Sequence, residues 1–263
     1  MASSERNQDG RERWGEFELA IAGTSHVGRI RKTNQDSFDR FDDPERGEIL
    51  LVVADGMGGH QGGEVASRMA VGILGQLGRE GDDAPSVRLA RAIERANAEI
   101  HKLAGKDYTL EGMGTTLVAL LLCRDGASFV AHVGDSRLYR LRDETLEPLT
   151  EDHSIVTLLI RNGTITREEA RDHPKRNQIM RALGVRGDVE VDVAPLEIRS
   201  GDAYLLCSDG LYAMLPDADL QLLAERAPDP HAAVAWMIDA ANQAGGMDNI
   251  TAMFVQVHDA SGG

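Results

Sequence analysis

Cysteine is scarce in this 263-residue chain: Cys123 and Cys207 are the whole complement. Two thiols cannot build a disulfide framework. Both sit in apolar, strand-like runs, LLLCRD and YLLCSD, and read as buried, reduced thiols. Neither adjoins a glycine-rich phosphate loop in the pattern a catalytic thiolate needs. Aromatic residues make up only 4%, so the core must rest on Leu, Val, Ile, Ala and Met. Basic charge is short as well: 28 Lys and Arg against 43 Asp and Glu leave a formal charge of −15. That balance argues against a nucleic-acid partner, which demands a basic face. No apolar run reaches 18 residues; the longest, ILLVVA and TLVALLL, are of strand length. The opening stretch MASSERNQDGRERWGE holds no apolar segment of the signal-peptide kind. The expectation is a cytoplasmic protein with no membrane attachment.

Hydrophobic residues, at 42%, suffice for a substantial core within one large domain. Residues 1–16 read as a flexible polar tail, 17–258 as the domain and 259–263 as a short C-terminal tail. Phe17 opens a strand that leads into the loop GRIRKTNQDSF. A second strand, 49–54, stops at DGMGGH. Two helices are predicted next. One spans 64–79 with Val65, Met69, Ile73 and Leu77 as its apolar stripe. The other spans 85–103, with Pro85 in its opening turn and a stripe of Leu89, Ala92, Ile93, Ala96 and Ile100. Past GMGTT, short strands joined by tight turns (TLVALLLC, ASFVAHVG, LYRLRD) indicate antiparallel sheet. Residues 148–190 break that rhythm with two helical patterns, SIVTLLIRNG and TREEARDH, the second opened by a capping box of Thr166 and Glu169. Strands DVEVDVAPL and DAYLLCSDG, helices near 219–226 and 230–243, and a last strand ITAMFVQV complete an α+β pattern.

Four aspartates share one context, the end of an apolar run beside a Gly or Asn turn: Asp55 (VVADGMGG), Asp135 (HVGDSR), Asp209 (LLCSDGL) and Asp248 (GGMDNIT). Strand ends are where a scaffold can aim side chains at one point. A single Asp-Gly is usually a plain turn; four such sites in one chain ask for more. If they converge they need a cation, because two carboxylates ~5 Å apart repel by about 3 kcal/mol at an effective dielectric of ~20. Oxygen ligands, with no His or Cys cluster at metal spacing, select hard ions such as Mg²⁺, Mn²⁺ or Ca²⁺ over zinc.

RKTNQDS, DGMGGH, GMGTT, GDSR, SDG and DN occur in that order, and the chain resembles the metal-dependent type 2C Ser/Thr protein phosphatases (the PPM family), specifically their bacterial branch. The resemblance covers residues 17–258. It implies a central antiparallel β-sandwich of two sheets flanked by pairs of α-helices, with 148–190 as a helical flap beside the site. It implies that Asp55 bridges two Mn²⁺ or Mg²⁺ ions, that the Gly56 carbonyl joins one of them, and that Asp209 and Asp248 complete the first site. Asp36 then acts through water, Asp135 serves a third, looser ion, and Arg31 grips the substrate phosphate, a role suited to its bidentate fork. The implied reaction is hydrolysis of phosphoserine and phosphothreonine in proteins by water activated between the ions, with no phospho-enzyme, by a monomer that reverses a Ser/Thr kinase. Met57 stands where eukaryotic relatives have a histidine thought to protonate the leaving oxygen, and Gln35 where some have glutamate. His60 and a metal-bound water are the alternatives for that proton. His153 reads as ordering the start of the flap. The competing reading is a binding module that keeps the fold without activity; every ligand position the family expects is filled here, which counts against it.

Overall fold

Alternation of buried side chains along the strands decides the layers. The computed structural model describes residues 11–58, 61–77, 81–166, 169–170 and 173–260. Its strands are β1 (Glu12–Trp14), β2 (Phe17–His26), β3 (Asp36–Asp43), β4 (Glu48–Met57), β5 (Gly114–Thr115), β6 (Leu117–Cys123), β7 (Ser128–Val133), β8 (Arg137–Arg142), β9 (Thr145–Pro148), β10 (Asp192–Leu196), β11 (Ala203–Cys207) and β12 (Ile250–Asp259). The helices are α1 (Gly62–Leu74), α2 (Pro85–Ala104), α3 (Ile155–Arg161), α4 (Asp209–Tyr212), α5 (Asp217–Arg226) and α6 (Pro230–Gln243). One sheet runs β1-β2-β12-β11-β8-β9 and the other β10-β7-β6-β4-β3, with β5 paired to the end of β4. The strand ladders are antiparallel.

Ile49, Leu51 and Val53 of β4 share one cluster with Val118, Leu120 and Leu122 of β6, and with Tyr204, Leu206, Met253 and Val255 from the other sheet. This is the inter-sheet core. The alternate residues Leu50, Val52 and Ala54 turn outward and pack with α1 and α2. Likewise Leu205, Cys207, Ala252 and Phe254 pack with α5 and α6. Period-2 alternation with both faces apolar thus yields helix, sheet, sheet, helix. Both cysteine thiols are buried, and burial pushes each up to about 12.

The structure shifts several sequence expectations. Glu12–Trp14 pair with Phe17–Leu19 as β1, so the polar opening stretch contributes an edge strand; residues 1–10 lie outside those described. The charged segment Asp36–Asp43, its first three residues anticipated as loop and the remainder given no element, is the edge strand β3. Helix α1 ends at Leu74 on Gly75. It buries Ala66, Ala70, Val71 and Leu74, while Val65, Met69 and Ile73 are only partly buried. Leu77 of the anticipated stripe is buried in the same cluster past the end of the helix, and Ala66 and Ala70 let the helix approach the sheet closely. In α2 the anticipated stripe is buried as read. The Thr166–Glu169 capping box forms reciprocally, at 2.7 and 3.2 Å. Among the described residues, no helix is long and apolar enough to cross a membrane.

Candidate metal centre

Asp36 and Asp55 stand opposite each other in the β3–β4 ladder. Asp209 opens α4 directly after β11, and Asp248 precedes β12, so the other sheet supplies the second pair. Two glycines let these segments meet. A Cβ on Gly56 would lie 2.1 Å from the Gly63 carbonyl oxygen and 2.5 Å from that of Gln35. One on Gly210 would lie 2.0 Å from the Asn249 oxygen and 3.4 Å from the Asp248 Cβ. Only glycine permits such approach.

The electrostatics follow from crowding. Burial pushes the Asp55 carboxyl well above the ordinary aspartate range, and the charges of Asp36, Asp209, Asp135 and Asp248 push it further. Asp36 is raised to about 7, by burial first, then by Asp209 and Asp248, against the downward pull of its hydrogen bonds. Burial raises Asp135 to about 7, with Asp209 and Asp152 adding to it. Asp209 is raised by burial and by Asp248, and Asp55 lies within its hydrogen-bonding reach. Asp55 therefore feels the other four anticipated aspartates, and Asp36, Asp135 and Asp209 are each raised with at least one neighbouring acid adding to burial. Asp209 Oδ1 and Asp36 Oδ1 are buried with no hydrogen-bond partner. Buried carboxylate oxygens left without donors mark a place for a cation. The donor set is oxygen only, and it fits hard divalent ions.

Residues beside the acids hold them in place. Ser208 and Thr251 hydroxyls donate to Asp36 Oδ2 at 2.8 and 2.6 Å. Thr116 Oγ1 accepts the Asp55 N–H at 3.1 Å, and Thr115 Oγ1 donates to the Asp55 carbonyl at 2.9 Å. Asn249 Oδ1 accepts the Gln35 N–H at 2.8 Å, and its Nδ2 donates to the Val27 and Thr33 carbonyls. That one amide anchors the loop carrying Arg31. These hydroxyl and amide residues lie in SDG, GMGTT and DNIT, and that membership is the one signal the sequence offers for them; it assigns them no task. Arg31 itself is half-exposed and pairs with Asp248 Oδ2 at 2.7 Å. His60 lies outside the described residues.

A second group of ligand-type atoms lies apart from these aspartates: His132, His153 and Asp192. Hydrogen bonding decides against a cation there. His153 Nδ1 accepts the Gly134 N–H at 3.1 Å, so the neutral ring carries its proton on Nε2. That nitrogen faces Asp192 at 3.4 Å and the Arg181 guanidinium at 3.3 Å. Burial, and then His132, lower the pKa of His153. With its backbone N–H also donating to Gly134 O at 2.9 Å, His153 is a strut under the turn that carries Asp135. Arg137 bonds Asp152 through two arms, at 2.8 and 2.7 Å, and closes the same turn.

Comparison with known proteins gives concordant matches. The family model described as Protein phosphatase 2C matches residues 22–250. The serine/threonine phosphatase stp of Listeria innocua is 42% identical over 236 residues, covering 87% of this chain and 92% of that protein. The crystal structure of the Mycobacterium tuberculosis serine/threonine phosphatase PstP/Ppp superposes with a TM-score of 0.81 at 38% identity, over 91% of this chain and 99% of that one. The catalytic domain of PstP in complex with two manganese ions superposes with a TM-score of 0.79 at 35% identity, over 92% and 99%.

Proposed function

This chain belongs to the protein phosphatase 2C family, and from that premise we propose that its aspartate cluster hydrolyses phosphoserine and phosphothreonine esters in proteins. Asp55, the Gly56 carbonyl, Asp209 and Asp248 would hold two Mn²⁺ or Mg²⁺ ions, with Asp36 behind them and Asp135 offering a third, looser site. When bound, the ions neutralise the phosphoryl oxygens and bring the pKa of water toward neutrality. The chain's own residues set the geometry. Ser208 and Thr251 fix Asp36, and Thr115 and Thr116 fix the Asp55 backbone. Arg31 has five N–H donors and commits one arm to Asp248, which leaves donors for non-bridging phosphate oxygens. Met57 has no proton to give, so the leaving oxygen is protonated from elsewhere. Residues 148–190 serve as the flap beside the site. The enzyme acts in the cytoplasm as a monomer in signalling, and removes phosphate placed by a Ser/Thr kinase.

The observation that carries this reading is the pair of buried, partnerless carboxylate oxygens on Asp36 and Asp209 within a cluster of five acids. Hydrolysis of p-nitrophenyl phosphate and of a phosphothreonine peptide with added Mn²⁺ tests it. The native protein turns over both substrates, and Asp209→Asn loses at least about 100-fold. A native protein inactive with Mn²⁺ and Mg²⁺ across pH 6–9 (roughly the range in which bound water ionises) overturns the assignment in favour of the binding module.

A further inference from the structure

A groove of ≈ 300 Å³ has Met57, Met180 and Val185 on its apolar side and Arg181, Arg186, Asp188 and Glu190 among its polar walls. Met57 joins it to the site: it is the last residue of β4, next to Gly56 and two positions after Asp55. Gly114 pairs with Met57 across the β4–β5 ladder. A Cβ at Gly114 would lie 2.8 Å from Met57 Cε and 2.9 Å from Val185 Cγ2. The two side chains therefore converge over one glycine as a continuous apolar wall. Val185 is 49% exposed and Met180 43%, so with Met57 they present open apolar surface along one side of the groove. Arg181 does not govern the groove, because Glu190 and Asp192 already pair with it. The same chemistry recurs in the neighbouring loops: Ile30 (61% exposed) and Met247 (56%) are the chain neighbours of Arg31 and Asp248.

Resting on the phosphatase reading, we infer that this groove receives the side chain next to the phosphorylated residue, and that the enzyme favours substrate proteins with a large apolar residue at that position. The occupant is a phosphorylated polypeptide segment, because the groove is continuous with the centre that takes its phosphate. A Leu, Ile or Met side chain covers the Met57–Val185–Met180 wall. The groove's formal charges cancel, Arg181 and Arg186 against Asp188 and Glu190, so a lysine there gains no net attraction and lays its ammonium over apolar surface.

The test measures kcat/KM with Mn²⁺ on phosphothreonine peptides that differ only in one flanking residue, leucine or lysine, placed on either side of the phosphothreonine. The native enzyme prefers leucine on one side by about tenfold. The double variant Val185→Asp/Met180→Asp brings that ratio to about one or below, chiefly through KM. Val185→Thr/Met180→Gln, at nearly unchanged volume, lowers it in the same direction. Because the readout is a ratio within one enzyme, partial loss of folded protein does not disturb it. A native ratio near one on both sides, or a native-like ratio in both double variants, overturns the inference. So does a groove that instead seats a second copy of the chain, in which case the variants change the molecular mass in solution and leave the peptide ratio unmoved. Hydrolysis of p-nitrophenyl phosphate by the native enzyme separates the two levels: turnover without peptide preference sinks this inference alone, and no turnover sinks the phosphatase reading beneath it.

Discussion

Gly210 shows how little space the centre leaves. Its absent side chain lets the Asn249 carbonyl approach to 2.0 Å of the Cβ position, and this contact sets the spacing of Asp209 and Asp248. Gly210→Ala forces backbone against backbone, so the two acids move apart. The expected outcome is a loss of stability of about 1–3 kcal/mol and a fall in apparent Mn²⁺ affinity of about 10–100-fold. Manganese titration of activity, beside a urea melt, reads both. Native-like Mn²⁺ affinity in the variant would show that the contact does not govern the acids. At this scale much is legible in the sequence itself: an acid followed by Gly or Asn at the end of an apolar run is a local pattern, and Asp55, Asp209 and Asp248 carry it, with Asp135 preceded by its glycine instead. The supports are harder to see. Ser208, Thr251 and Asn249 look like ordinary polar residues until the fold brings Asp36, 172 and 215 positions away from the two hydroxyls, into contact with them.

Elements show why some of the fold escapes sequence patterning. β3 is Asp-Ser-Phe-Asp-Arg-Phe-Asp-Asp, an edge strand whose charge discourages pairing with other chains and also hides it as loop. β1 is three residues long and α4 four, too short for any period to register. α2, by contrast, has twenty residues with a full apolar face and is readable throughout. Its attachment to the sheet has a polar component that periodicity does not reveal: buried Arg88 of α2 pairs with buried Glu48 at the start of β4. Arg88→Ala strands the Glu48 charge in the interior and should cost about 3–5 kcal/mol. Replacing both at once, Arg88→Met with Glu48→Leu, should recover most of that loss, since desolvating the pair offsets much of its attraction. Urea midpoints of the two variants decide the matter. Equal destabilisation in both would mean that the pair is a net source of stability rather than a balanced one.

At the scale of the molecule, the centre is a junction between the sheets. Asp36 and Asp55 belong to one sheet's ladder, whereas Asp209 and Asp248 flank β11 and β12 of the other. Their mutual repulsion acts across the sandwich in a chain already at −15, and divalent cations at this point would tie the layers together. A pH dependence follows. Asp36 and Asp135 are raised to about 7, and Asp55 and Asp209 are raised too. The folded, metal-stripped protein then keeps protons that the unfolded chain releases above about pH 4. The stabilisation from these groups is complete below that pH and is lost as pH rises through about 7. Chelator-treated protein should therefore melt at progressively lower temperature between pH 5 and pH 8 (the span between unfolded and folded titration, roughly). Saturating Mn²⁺ replaces the protons as counter-charge. It should flatten that decline, raise the melting temperature more at the alkaline end than at the acidic end, and release protons on binding. Thermal melts at matched ionic strength, with and without Mn²⁺, measure the difference. A metal-stripped protein whose melting temperature holds level over this range would mean that Asp36, Asp55, Asp135 and Asp209 are not held protonated by burial and by their acidic neighbours, and the case for a cation at their meeting point would lose its physical basis.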